Sequence, residues 1–151
     1  MATKKQAFES KEYKAQGTIS AANIIATTAG GFSHASGYEL VKAPGANKVV
    51  ELVSAILSME FDTAAYTDGG NTTINIGSGG AALSGLVSNA NFIQAATDKV
   101  IMFVPLAATF LTLTENVGIN LVTASAVTNP GTAAGVIHYR VTYRIHTTQS
   151  Q

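Results

Sequence analysis

The sequence predicts an all-β fold: an antiparallel β-sandwich, jelly-roll-like, of eight or nine strands with an extended N-terminal arm. Three observations predict it. Short runs with strand-like alternation recur at intervals of about 8–14 residues, close to the spacing expected of sandwich strands. Turn-forming Gly, Asn and Asp residues separate those runs. Pro44, Pro105 and Pro130 are the three prolines, and each falls at a strand end or in a turn, where a missing N–H interrupts no ladder.

Residues 1–16 read as the arm and residues 17–151 as one domain. The arm, MATKKQAFESKEYKAQ, holds six of the eighteen Lys, Arg, Asp and Glu residues and has no clean period. Two readings stand for it: a frayed terminus, or a segment that orders on a neighbouring subunit with Phe8 and Tyr13 as anchors. Gly17–Thr28 then reads as a strand closed by Gly30-Gly31. Tyr38–Ala43 is a short strand, ended by the turn signal Ala43-Pro44-Gly45. Lys48–Phe61 is long and apolar, and its β-branched content favours strand over helix. Its odd-numbered face, Ala55, Leu57, Met59 and Phe61, is the more apolar in the second half and is expected to face the core there.

Residues 62–71 form a loop. Thr72–Gly77 alternates, with Ile74 and Ile76 on one face. Ala82–Val87 is a weak strand, and Asn89–Asp98 is a helical turn or a long loop. Lys99–Leu106 is almost continuously apolar, the pattern of a strand in a core position. Phe110–Thr114 and Ile119–Ala124 read as strands, and Thr128–Gly135 as a loop. Val136–His146 is the clearest element. Ile137, Tyr139, Val141, Tyr143 and Ile145 lie on one face, expected to be buried; His138, Arg140, Thr142, Arg144 and His146 lie on the other.

Composition narrows the function classes. There are 9 Lys+Arg, 9 Asp+Glu and no Cys, and charged residues make up 12% of the chain. The missing Cys excludes a disulfide scaffold and thiol chemistry. Zero formal charge argues against a nucleic-acid or polybasic membrane binder. No apolar run approaches the ~20 residues of a membrane-spanning helix, and Met1–Lys14 does not read as a secretory signal. A near-neutral surface rich in Ala and Thr is poorly defended against association, which leans toward a subunit of a larger assembly.

Catalytic chemistry finds little to work with. His138 and His146 lie eight residues apart on one strand, about 26–27 Å, too far to share a metal. His34 sits in a Gly/Ser loop. The Gly-rich runs Asp68–Asn71 and Gly77–Gly80 do not precede helices, so they read as turns rather than phosphate cradles. Glu60 and Asp62 could meet the separation of a glycosidase pair, but there is no Trp to stack a sugar. Asp62, Asp68 and Asn71 offer oxygen ligands for calcium, against the plainer reading of a solvated loop. Accordingly no enzyme activity, cofactor or metal is expected. Arg140 and Arg144 are the only arginines. They read either as a solvated face with cross-strand carboxylate partners or as part of a subunit interface.

The stretch Tyr38–Leu52, the run Ala95–Val100, Asn120-Leu121-Val122, and Asn129–Gly135 leading into a Tyr/Arg-containing last strand together resemble small β-sandwich virion proteins of tailed bacteriophages. Several of these are similar to jelly-roll decoration, or cement, proteins. The resemblance spans about Gly17–Thr147. It implies a homotrimer on the outer capsid surface, bound to the major capsid protein, with contact to neither nucleic acid nor membrane. It implies no catalytic residue. The alternative is a receptor- or glycan-binding module of a phage fibre or tail. For the cement reading the interface candidates are Phe8, Tyr13, Arg140 and Arg144.

Overall fold

The computed structural model describes residues 11–107, 112–129 and 135–148. Ten strands occur among them: β1 (Glu12–Ile19), β2 (Tyr38–Val41), β3 (Lys48–Glu60), β4 (Thr67–Asp68), β5 (Asn71–Ile76), β6 (Val87–Ser88), β7 (Lys99–Phe103), β8 (Ile119–Thr123), β9 (Val127–Thr128) and β10 (Val136–Thr147). Two four-stranded antiparallel sheets stack face to face. The first has the order β1-β10-β3-β7 and the second β2-β8-β5-β6, while β4 and β9 form a separate two-stranded ribbon. The pairs β1/β10, β2/β8, β3/β7 and β5/β6 nest inside one another and alternate between the sheets. That is a long hairpin rolled up, the winding of a jelly roll. The fold class read from the sequence holds; the count exceeds eight or nine because β4, β6 and β9 are only two residues each.

The core lies between the inner faces, and the strand register assigns its rows. Ile19, Ile137 and Met59 stand side by side across the first sheet, as do Ala15, Val141, Ala55 and Phe103. From the second sheet Ile74 with Leu121 and Ile76 with Ile119 oppose them. Nearly all of these side chains are fully buried. Tyr38 of the second sheet meets Tyr139 of the first edge to face, with centroids 6.3 Å apart. Gly17 lies opposite Tyr139, whose ring occupies the space a Cβ at Gly17 would need.

A bulge explains the long strand β3. Its register with β10 shifts between Thr142 and Tyr143, where Ser54 pairs with Thr142 but Leu52 with Tyr143. The extra residue, Val53, reverses which parity faces inward. Val50 and Leu52 are buried before it, Ala55, Leu57 and Met59 after it. The expectation that the odd face turns inward in the second half therefore holds, and β10 keeps one inward face throughout. On that face Ile137 and Val141 are fully buried, while Tyr139, Tyr143 and Ile145, expected to be buried, are only half-buried.

Five expectations need correction. The division between arm and domain at residues 16 and 17 falls inside β1: Glu12, Tyr13, Lys14, Ala15 and Gln16 already pair with Arg144, Tyr143, Thr142, Val141 and Arg140 of β10 in that order. The alternation of Tyr13, Ala15, Gly17 and Ile19 is short and interrupted by glycine, so it was masked by the surrounding charges. The strand Gly17–Thr28 stops at Ile19 and gives way to a short helix, α1 (Ala21–Ile25). Ser20 caps it, its hydroxyl accepting from Asn23 N at 3.3 Å, and Ile24 anchors it in the core. Ala82–Val87 contributes isolated bridges to Asn75 and Pro105 and only its last residue to β6. Thr112–Thr114 is irregular, and Phe110 lies outside the described residues. Asn89–Asn91 forms one 3₁₀ turn, within the expectation for that segment.

The fifth bears on function. Lys99–Leu106, expected in a core position, supplies β7 at the open edge of the first sheet. Phe103 points inward and is buried, but Val100, Met102 and Val104 project outward and are 71%, 60% and 55% exposed. An apolar residue at both parities is the pattern of a strand covered on two faces. Among the described residues of one copy only one of its faces is covered.

Candidate interaction face

The outer surfaces of the two sheets differ. On the second sheet Thr73 and Asn120 are buried. The Asn120 amide donates to Ser36 O at 2.8 Å and the Asn75 amide to Gly80 O at 3.2 Å, so local loops lie over this surface. The outer surface of the first sheet carries no such cover among the described residues. Its cross-strand rows follow from the register: Glu12–Arg144–Glu51, Gln16–Arg140–Ile56–Met102 and Thr18–His138–Ser58–Val100.

The two arginines differ in their surroundings. Arg144 Nη2 donates to Glu12 at 2.6 Å and Nη1 to Glu51 at 3.5 Å. Glu51 also receives His146 Nε2 at 2.7 Å. Arg144 is thus held by its own sheet, in the cross-strand arrangement weighed as its plainer reading. Pairs this accessible contribute about 0–1 kcal/mol each. Arg140, within the bulge-free first half of β10, is exposed and has no ion-pair partner among the described residues. It borders a shallow groove of about 560 Å³ whose lining includes Gln16, Thr18, Ile56, Ser58 and His138. The His138 ring bridges two strands, receiving the Thr18 hydroxyl at Nδ1 (2.8 Å) and donating from Nε2 to Glu60 (3.0 Å).

Chemically, the groove offers a guanidinium fork, an amide and a hydroxyl beside apolar Ile56 and Met102. A guanidinium with no ion-pair partner among the described residues is suited to a carboxylate, which it can grip with two parallel hydrogen bonds.

Of the remaining sequence candidates, Tyr13 is on the inner face of β1. Its ring stacks on Tyr143, with centroids 5.7 Å apart and planes 25° apart, and Lys11 Nζ lies 5.3 Å from its centroid. It ties the start of β1 to its own sheet. Phe8 lies outside the described residues. Reading from sequence missed Val100, Met102 and Val104 as surface residues, whereas Ile56 lies on the outward parity expected for the second half of Lys48–Phe61. The signal was the two-sided apolar pattern of Lys99–Leu106.

The polar residues weighed for catalysis or metal binding are dispersed. Glu60 meets His138, Asp98 Oδ1 accepts from Phe61 N at 2.8 Å, and Asp68 Oδ2 accepts from the Thr128 hydroxyl at 2.6 Å. His34 Nδ1 accepts from Ser36 N at 3.1 Å. Among the described residues no three His, Asp or Glu side chains gather where they could hold one ion. Tyr66 is buried, its hydroxyl donating to Gly135 O at 2.7 Å, and burial pushes its pKa up to about 12. Tyr139 is also shifted up, by burial first and then by Tyr38 and Glu39. Both belong to the packing of the sandwich. No protein-family model, curated protein or solved structure matches the chain.

Proposed function

We propose that this protein is a virion structural component, a decoration or cement protein that docks on the outside of a tailed-phage capsid and ties adjacent capsomers together. One observation carries the reading: the outer surface of the first sheet combines exposed apolar side chains with Arg140, a cation that has no partner in its own chain among the described residues. An apolar patch around an unpaired guanidinium is complementary to a protein surface that presents a carboxylate. The jelly-roll winding suits the role, since such folds recur in viral capsid domains, though fold by itself assigns no function. The resemblance to phage virion proteins supplies the setting. In this reading the partner is the major capsid protein, the groove receives an acidic side chain of it, and the action is mechanical. A stiff two-sheet body bridging two capsomers opposes their separation under internal pressure, and from outside the shell it touches no packaged genome.

Co-sedimentation with expanded, undecorated shells of the virion encoded alongside this gene tests the proposal. Saturable binding that Arg140→Glu weakens about tenfold or more is the expected result, tenfold being the least that a buried charge-assisted contact contributes. No binding by the wild-type chain, or equal binding by Arg140→Glu, overturns it. The polar lining of the groove also supports a second reading as a glycan-binding module, since amide, hydroxyl and guanidinium donors can bond sugar hydroxyls. Specific hits on a glycan array that Arg140→Glu abolishes would favour it.

A further inference from the structure

We infer that the edge of β7, which pairs with no further strand among the described residues, is a self-association seam, where two copies of the chain pair antiparallel about a two-fold axis at Ile101 and merge their first sheets into one. The inference does not depend on the virion reading.

An open strand edge is a template for another strand, and soluble proteins blunt such edges with charge, bulges or brevity. Three of the four edges here are blunted. β1 carries Glu12 and Lys14, β2 carries Glu39 and an irregular register, and β6 has two residues. β7 has five residues, pairs with β3 without a register shift, and bears one charge, Lys99, at its very start. Its outward side chains Val100 and Met102 are among the most exposed large apolar residues described; Ile56 lies beside Met102, and Val104, just past the strand, is exposed as well.

The occupant follows from self-complementarity. With Ile101 opposite its own copy, Val100 of one chain stands opposite Met102 of the other, and the reverse contact repeats across the axis, as an isologous interface requires. Apolar meets apolar on the outer face, continuous with Ile56 beside Met102. The two Lys99 side chains come to opposite ends of the paired strands, about 13 Å apart at the usual rise, so no like charges face each other. A seam of five paired residues a side is smaller than the ~1,200 Å² of a standard specific interface, which fits a weak, reversible dimer. Pairing side by side leaves the Arg140 grooves open on the merged face, and two footprints on one body bind with avidity.

Sedimentation equilibrium on the full chain, from about 5 to about 300 µM, tests the seam. The expected mass rises from 15.5 kDa toward twice that value. Met102→Lys should raise the dissociation constant about tenfold or more, by setting charges into the apolar seam, while Lys14→Glu on the opposite edge leaves it unchanged. A second measurement fixes the register. The chain contains no Cys, so Val100→Cys mixed with Met102→Cys should give a mixed disulfide on oxidation. Either variant alone should not, because its thiols would lie diagonally, ~7–8 Å apart. A monomer across the whole range, a three-fold mass, a dimer indifferent to Met102→Lys, or cross-linking equal in all mixtures overturns the inference.

Discussion

The bulge in β3 makes a sharp prediction about stability. Leu57 is fully buried, flanked across the sheet by Tyr139 and Ile101, whereas its neighbour Ile56 is 43% exposed on the outer face. Truncating Leu57 to Ala removes three carbons from the core. At ~0.8 kcal/mol per carbon the transfer cost alone is about 2.4 kcal/mol. A residual cavity between two sheets that cannot close fully brings the expected total to about 3–4 kcal/mol. Ile56→Ala removes partly hydrated carbons and leaves no cavity, so under ~1 kcal/mol is expected. Before the bulge the sensitive parity reverses. Leu52→Ala should resemble Leu57→Ala, although 52 and 57 differ in parity, because Val53 is the inserted residue. Equilibrium unfolding in guanidinium chloride, at concentrations low enough to keep the chain monomeric, reads all three. A loss at Leu57 below ~1 kcal/mol, or a loss at Ile56 equal to it, would refute the register and the placement of the bulge.

Three further perturbations test other parts of the account. Tyr66 has a folded pKa of about 12 against the ordinary 10, so the folded state holds its proton longer than the unfolded chain does. Its contribution is full below pH 10 and is lost as pH rises through about 12; Tyr66→Phe should flatten that alkaline fall in Tm, at a cost of about 1–3 kcal/mol at neutral pH from the orphaned Gly135 carbonyl. A Cβ at Gly135 would sit 1.7 Å from the Glu60 carbonyl oxygen, fixed backbone at the join of β3 and β10, so Gly135→Ala should cost more than ~2 kcal/mol by thermal unfolding. By contrast Glu12→Gln, which removes the shorter Arg144 ion pair from a solvated face, should change stability by less than ~1 kcal/mol in the same assay.

Much of the fold was legible because half-buried strands alternate. Thr72–Gly77, Ile119–Ala124 and Val136–His146 each show that period and each contain a strand. Even the bulge left a trace, since the apolar parity of Lys48–Phe61 changes near its middle. The nesting of strand pairs was not legible, because it depends on contacts as distant as Glu12 with Arg144. The helix Ala21–Ile25 was hidden by its length: five residues are too few to show a helical period, and only the Ser20 cap marks its start. On the candidate face, Arg140 and Arg144 were singled out as a pair, but only the fold separates the arginine held by Glu12 and Glu51 from the one left open. The apolar stripe was misplaced for a physical reason. Hydrophobicity on both parities says that a strand needs two covered faces, without saying whether its own chain or another covers the second.

These observations join into one picture: a jelly roll whose second sheet has local loops over its outer face and whose first sheet offers a partly apolar outer surface on which Arg140 has no ion-pair partner among the described residues. A cryo-electron microscopy map of the native particle tests it most directly. The account predicts the sandwich seated on the outside of the shell, with Gln16, Arg140 and Ile56 turned toward protein density and a carboxylate at Arg140. A map in which that surface faces open solvent, or in which the chain is absent from the capsid, would contradict it.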